Sequence, residues 1–243
     1  MERQSKNEKL LQYFKDICRI PRQTGDEEAI SQYLLDFAKA RARQAERDAH
    51  HNVLIRKPST IPGYKGPTVI VQGHMDIVYE KSADSTHKYE DGIHVVEEDG
   101  YLKSADGTSL GADNGLAVAY AMDLLDRNDL PLPALEILIT SSEEVGLEGV
   151  KHLELTDVKG SYLINLDAEE EGVFFTSCAG GVRTDLSLPL KYTGSTEDIA
   201  YTLTLCGLSG GHSGLDIALG KANAIQLVGR ILYHIAPFAR ISS

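Results

Sequence analysis

Cysteine is scarce. Cys18, Cys178 and Cys206 are the three in 243 residues, and no two stand at a metal-binding spacing. An odd, scattered set offers no zinc-thiolate motif and fits a reducing compartment better than a disulfide framework. Basic residues are also outnumbered, with 24 Lys+Arg against 36 Asp+Glu and a formal net charge of -12. A nucleic-acid footprint needs a basic face, so no nucleic-acid partner is expected. The acidic balance accords with small substrates and mildly favours cation binding. Long apolar runs are missing too. The opening MERQSKNEKLLQYF is charged and amphipathic, without the apolar core of a signal peptide, and no later run is long enough to span a bilayer. A soluble, cytoplasmic protein without a membrane partner is therefore expected. There is no internal repeat and no low-complexity segment.

The length suffices for a sizeable core and one or two domains. Apolar residues at helical spacing predict helices over 6–20 and from about Asp26, the second running into the polar stretch ARARQAERD. Strands are expected at 52–56, 68–72, 134–140 and 161–166, with a hairpin around Asp99-Gly100 and a helix over 116–127. Strands alternating with helices imply a mostly parallel sheet, hence an α/β fold. After Gly180-Gly181 the pattern changes. Residues 184–191 and 200–208 read as strands of an antiparallel layer, followed by GGHSG and a helix over 215–235. The expected division is a catalytic domain, 1–183, and a partial α+β domain, 184–243, too thin a core to be independent.

Three apolar strands run into polar tips: VIVQG-His74-Met75-Asp76, EILITSS-Glu143-Glu144 and YLINL-Asp167. A fourth element, GA-Asp113-Asn114-G, sets a carboxylate before a helix. In open α/β sheets the carboxyl ends of the strands gather at one edge, where ligands bind. Each feature alone has an ordinary explanation. Asp113 suits an N-cap, and adjacent acids such as Glu143 and Glu144 suit the first turn of a helix. Together, four or five clustered carboxylates would repel one another strongly, and a divalent cation removes that conflict. Imidazole plus carboxylates, without thiolates, suits a catalytic zinc or similar transition metal.

GHMD, GADNG, SSEEVG and NLDAEE, in this order and spacing, resemble the zinc-dependent aminoacylase/carnosinase superfamily of metallopeptidases, and within it the bacterial Xaa-His dipeptidases. The likeness extends to KLLQYFKDICRIPRQTGDEE and GLSGGHSGLDI, essentially the whole chain. The resemblance implies a mostly parallel-sheet zinc-peptidase catalytic domain, phosphorylase/hydrolase-like, followed by part of an α+β lid domain. It also implies two zinc ions, with Co2+ or Mn2+ as possible substitutes. His74 and Asp167 would bind one zinc, Glu144 the other, and Asp113 would bridge them. Asp76 would orient the groups around His74, and Glu143 would be the general base. The Asp113-Asn114 bond matches one that is often cis in this superfamily. His212, in GGHSG, would reach an active site to hold substrate, and the lid would pair two chains into a homodimer. Zinc-activated water would hydrolyse dipeptides, Xaa-His and others. Alternatives are an N-acyl-amino-acid amidohydrolase, or a non-catalytic remnant binding at most one zinc.

Superfamily members of this type run to roughly twice this length. The chain is accordingly expected to be an N-terminal fragment, with the second zinc site left incomplete. The alternative is a short protein that pairs with a second polypeptide. The other histidines, His87 and His94 among them, sit in no comparable motif and read as surface or incidental residues.

Overall fold

The computed structural model describes residues 2–154, 158–168, 170–178, 180–182, 184–189, 191, 199, 201–211 and 216–238. The chain divides into two units, Met1–Ala179 and Gly180–Ser243.

The first unit is built on a five-stranded sheet. Its strands are β1 (Gln44–Arg47), β2 (Val53–Lys57), β3 (Val69–His74), β6 (Leu135–Thr140) and β7 (Tyr162–Asn165), ordered β1-β2-β6-β3-β7. The three strands β6, β3 and β7 are mutually parallel, whereas β1 and β2 run antiparallel at one side. The short strands β4 (Val95–Glu98) and β5 (Tyr101–Ser104) form a separate hairpin. Asp99 (φ 53°) and Gly100 (φ 78°) make its two-residue turn, as the Asp-Gly pair predicts.

Helices α1 (Glu2–Cys18), α2 (Glu28–Lys39) and α3 (Ala112–Asp126) share one core with the sheet. Because side chains alternate along a strand, Val53 and Ile55 of β2, Val71 of β3, and Leu135, Ile137 and Ile139 of β6 all face that core. There they meet Phe14, Ile17, Ile30, Leu34, Val118 and Met122. Leu54, Ile70 and Leu138 point the other way, into a smaller cluster with Leu153 and Val158. Lys57 lies on the helix side, only 2% exposed. Its ammonium donates to the carbonyls of Leu124 (2.7 Å), Leu125 and Arg127, closing the end of α3. The outermost strand, β7, leaves Tyr162, Leu163 and Ile164 half exposed.

The polar tail ARARQAERD is not a continuation of α2. The helix stops at Lys39, Ala42 takes a positive φ of 52°, and Gln44–Arg47 pair with β2 as an edge strand. Its side chains have no apolar alternation. The ladder to β2, a non-local feature, makes it a strand.

In the second unit, no strand is present among the described residues of 184–208; Leu186 (92% exposed) and Tyr201 (88%) lie open to solvent. Alternating apolar residues become a strand only when a neighbour supplies the ladder, and no described segment does so. The expected long helix is a 3-10 turn, Ile217–Leu219, ended by Gly220, and then α4 (Ala224–Ile235). The Asn223 side chain caps α4, accepting from the N–H of Gln226 at 3.0 Å. His212 lies outside the described residues. Among the described residues no helix is long and apolar enough to cross a membrane.

Candidate metal centre

Strand register explains why the polar tips meet. In the parallel pairs, His74 at the end of β3 stands opposite Thr140 of β6, and Gln72 opposite Asn165 of β7. The residues that follow, 141–144 on one side and 166–167 on the other, are thereby delivered to the edge where β3 ends. Asp113 arrives there from the start of α3.

His74 is buried and both ring nitrogens are engaged. Nδ1 donates to the Asp76 carbonyl at 3.0 Å and lies 3.4 Å from the Asp76 carboxylate. Nε2 faces three carboxylates: Asp113 at 3.2 Å, Asp167 at 3.7 Å and Glu143 at 3.9 Å. Two groups of three side chains able to hold a metal ion result, His74 with Asp113 and Asp167, and His74 with Glu143 and Glu144. Within each group the donor atoms lie within 4.8 Å of one another. The two groups share His74; none joins Asp113 to Glu144.

The electrostatics favour a cation. Burial alone would lower the His74 pKa, but hydrogen bonds to Asp113, Asp167 and Asp76 outweigh it and push the imidazolium up to about 12. Burial raises the pKa of Glu143, and the charges of Asp167, Asp76 and Asp113 raise it further, against His74. Glu144 is raised in the same way, by burial and then by Asp113. Without a metal ion the protonated His74 ring balances part of the carboxylate charge; a divalent cation can replace that proton. Asp76 behaves differently. Burial would raise its pKa, but hydrogen bonds from His74, the Glu143 backbone and Thr24 lower it, so it stays a carboxylate.

Asp76 is fully buried and acts as a bracket. Its Oδ1 accepts from the N–H of Glu143 at 3.1 Å, and its Oδ2 from the N–H of Glu144 at 3.3 Å and from the Thr24 hydroxyl at 2.9 Å. One carboxylate therefore sets the position of both glutamates and of His74.

Five further residues organise the site, and the sequence pointed to no supporting role for any of them. Asn114 follows a cis Asp113-Asn114 peptide. Its Oδ1 accepts from the His74 N–H at 3.2 Å, and its Nδ2 donates to the Leu166 carbonyl at 3.1 Å and to Asp167 at 3.0 Å. One amide thus ties together the three elements bearing His74, Asp113 and Asp167. Gly73 permits this approach, since a Cβ there would lie 2.5 Å from Asn114 Oδ1 and 2.7 Å from Ala117. Arg22, 1% exposed, donates to the carbonyls of Met75 (2.8 Å) and Gly111 (2.7 Å). It joins the chain after His74 to the chain before Asp113. Glu27 accepts from Gly25 and from both the N–H and the hydroxyl of Ser142, holding the residue before Glu143. Thr24 completes the set through its bond to Asp76. An Asn before a helix, an Arg after a Pro and a Glu at a helix start are common in any sequence. Only the fold shows where these side chains reach.

No family model matches the chain. Among curated proteins, the cytosol non-specific dipeptidase of Escherichia coli (strain K12) is 37% identical over 224 residues, which is 92% of this chain and 46% of that protein. Among solved structures, the aminoacylhistidine dipeptidase of Vibrio alginolyticus matches with a TM-score of 0.69 at 33% identity, again over 92% of this chain and 46% of the other. The aminopeptidase PepT of Bacillus cereus ATCC 10987 matches with a TM-score of 0.55 at 26% identity, over 67% of this chain and 44% of its own. The chain spans about half the length of the relatives it matches. Across 92% of its residues the chain is similar in sequence and fold to these two dipeptidases, in keeping with the resemblance that its GHMD, GADNG, SSEEVG and NLDAEE motifs carry.

Proposed function

We propose that this chain carries the metal-binding part of a dipeptidase active site that hydrolyses dipeptides, Xaa-His among them. The observation that supports this best is the convergence of three carboxylates on His74 Nε2 at the ends of parallel strands. His74, Asp113 and Asp167 would hold one zinc. Glu144 would contribute to a second, with Asp113 shared between the two. A zinc ion held there supplies Lewis acidity and brings the pKa of water toward 7. The protein side chains supply the rest. Glu143, its pKa raised by burial and neighbouring carboxylates, takes the proton from the attacking water and passes it to the leaving amine. Asp76 holds the Glu143 and Glu144 backbones and the His74 ring while this happens. His212 would hold substrate, and residues 184–243 would act as a lid through which two chains pair.

Glu143→Gln tests the assignment. Hydrolysis of Xaa-His dipeptides should fall by at least about a hundredfold, while bound zinc, measured by plasma mass spectrometry, stays unchanged. Cleavage of N-acetyl amino acids but not of dipeptides would instead indicate an amidohydrolase. A second reading rests on the two donor groups sharing His74: the chain binds one zinc and is not catalytic. One equivalent of zinc with no cleavage of either substrate class would establish that.

A further inference from the structure

His87, His94 and Asp106 share no residue with the centre described above. The sequence suggests surface positions for these histidines, but the His87 side chain is only 3% exposed. It lies in the loop between β3 and β4. His94 immediately precedes β4, and Asp106 follows β5. The hairpin brings these two together, because the Ala105 N–H donates to the His94 carbonyl at 2.8 Å. The Ser85 hydroxyl donates to the Asp106 carbonyl at 2.6 Å and draws the His87 loop alongside. Gly92 turns the chain between the two histidines with φ 68°, against the Arg19 backbone. A Cβ there would meet the Arg19 carbonyl at 2.4 Å, so no other residue fits.

The result is a convergent donor set. His94 Nδ1 is 2.8 Å, and His87 Nε2 3.9 Å, from Asp106 Oδ2. All three donor atoms lie within 4.8 Å of one another. Tetrahedral ligands at zinc bond lengths of about 2.1 Å stand roughly 3.4 Å apart, inside that span. The Gly92 carbonyl oxygen is 2.7 Å from His87 Nε2, a fourth donor beside it. On the far side of the ring, the Tyr79 hydroxyl is 2.8 Å from His87 Nδ1. A metal-bound imidazole needs such a partner on its other nitrogen to fix the tautomer and ring orientation.

We propose that His87 Nε2, His94 Nδ1 and Asp106 Oδ2, with the Gly92 carbonyl, form an additional divalent-metal site. Two imidazoles with one carboxylate select zinc, cobalt or nickel over calcium or magnesium. Binding at Nε2 takes the neutral tautomer with its single proton on Nδ1, donated to the Tyr79 oxygen, in place of the tautomer whose Nε2–H faces the Gly92 carbonyl. The ion then links residues 87, 92, 94 and 106. It steadies residues 79–109, a stretch whose two ends are joined by the Ser109 N–H donating to the Glu80 carbonyl at 2.8 Å, four residues before Asp113.

The site is tested with ZnCl2 and CoCl2 alone, independently of any peptidase activity. In a His74→Ala/Asp113→Ala chain, titration calorimetry should still find one equivalent of Zn2+, and Co2+ should give the visible bands of a low-coordinate ion. Adding His94→Ala or Asp106→Ala should weaken that binding at least roughly tenfold. Both residues lie at the surface, so the fold should persist, as circular dichroism would check. Absence of stoichiometric binding in that folded background, or binding indifferent to both substitutions, overturns the proposal. A second measurement avoids the double variant. In the otherwise unaltered chain, His94→Ala should lower the zinc retained after dialysis by one equivalent, and an unchanged count overturns the proposal.

Discussion

Replacing Asn114 by Asp keeps the shape of the side chain and reverses the polarity of one of its ends. The oxygen that accepts from the His74 N–H remains. The Nδ2 group, which donates to the Leu166 carbonyl and to Asp167 at 3.0 Å, becomes an oxygen. The lost bond to the carbonyl costs about 1 kcal/mol and the lost bond to the carboxylate about 2 kcal/mol. Two ionised carboxylates 3 Å apart add about 5 kcal/mol at an effective dielectric constant of 20. The new carboxyl can escape this repulsion by keeping its proton, which from an ordinary pKa near 4 costs about 4 kcal/mol at pH 7 and restores one donor. The ionised form would cost about 8 kcal/mol and the protonated form about 5 kcal/mol, so the variant takes the proton and should lose about 5 kcal/mol at pH 7. Its pKa is raised in the folded state, so between about pH 4 and neutrality the folded chain binds more protons than the unfolded one. The penalty therefore grows as pH rises and shrinks toward pH 4. Asn114→Ala carries no added charge but also removes the acceptor of the His74 N–H, so its cost should stay at about 4 kcal/mol at both pH values. Urea unfolding with chelator present, followed by circular dichroism at pH 4.5 and 7, measures all three chains. A loss below about 1 kcal/mol at pH 7, or one that does not change with pH, would refute the placement of Asn114 between these elements.

Other substitutions probe the supports of the site. Gly73→Ala forces a methyl into Asn114 and Ala117; it should cost about 1–3 kcal/mol by urea unfolding and weaken Zn2+ binding measured by calorimetry. Glu27→Ala leaves the Gly25 and Ser142 N–H groups without their acceptor and should destabilise the chain by about 2–4 kcal/mol in the same assay. Burial, with Arg43 nearby, lowers the Lys57 pKa to about 8. Between pH 8 and about 10.4 the unfolded chain keeps the Lys57 proton that the folded chain has lost, so this residue's contribution to stability rises with pH. The stability difference between the native chain and Lys57→Met should shift in favour of the native chain across that window, by at most about 1.4 kcal/mol per pH unit. A difference flat with pH would contradict it.

Much of the architecture is readable from local pattern. Apolar runs such as VIVQG and EILIT each need two covered faces, and that requirement makes them interior strands wherever they occur. A parallel sheet then carries their polar tips, His74, Glu143, Glu144 and Asp167, to one edge. The Asp99-Gly100 turn is equally local, since its backbone conformation follows from residue type. Local pattern fails where a partner decides the outcome. Gln44–Arg47 carries no strand periodicity and is a strand because β2 offers a ladder. Residues 184–189 and 201–208 carry the periodicity and form no strand among those described.

The same division runs through the site. The residue order alone nominates the candidate metal ligands, because imidazole and carboxylates recur together at the tips of its apolar strands. Only the tertiary structure decided what holds them in place. Asn114 spans three elements with one amide, Arg22 joins two carbonyls 36 positions apart in the chain, Met75 and Gly111, and Glu27 reaches Ser142. The convergence of His87, His94 and Asp106 belongs with these. Each depends on separations of a few ångströms between residues far apart in the chain, and no local spacing encodes them.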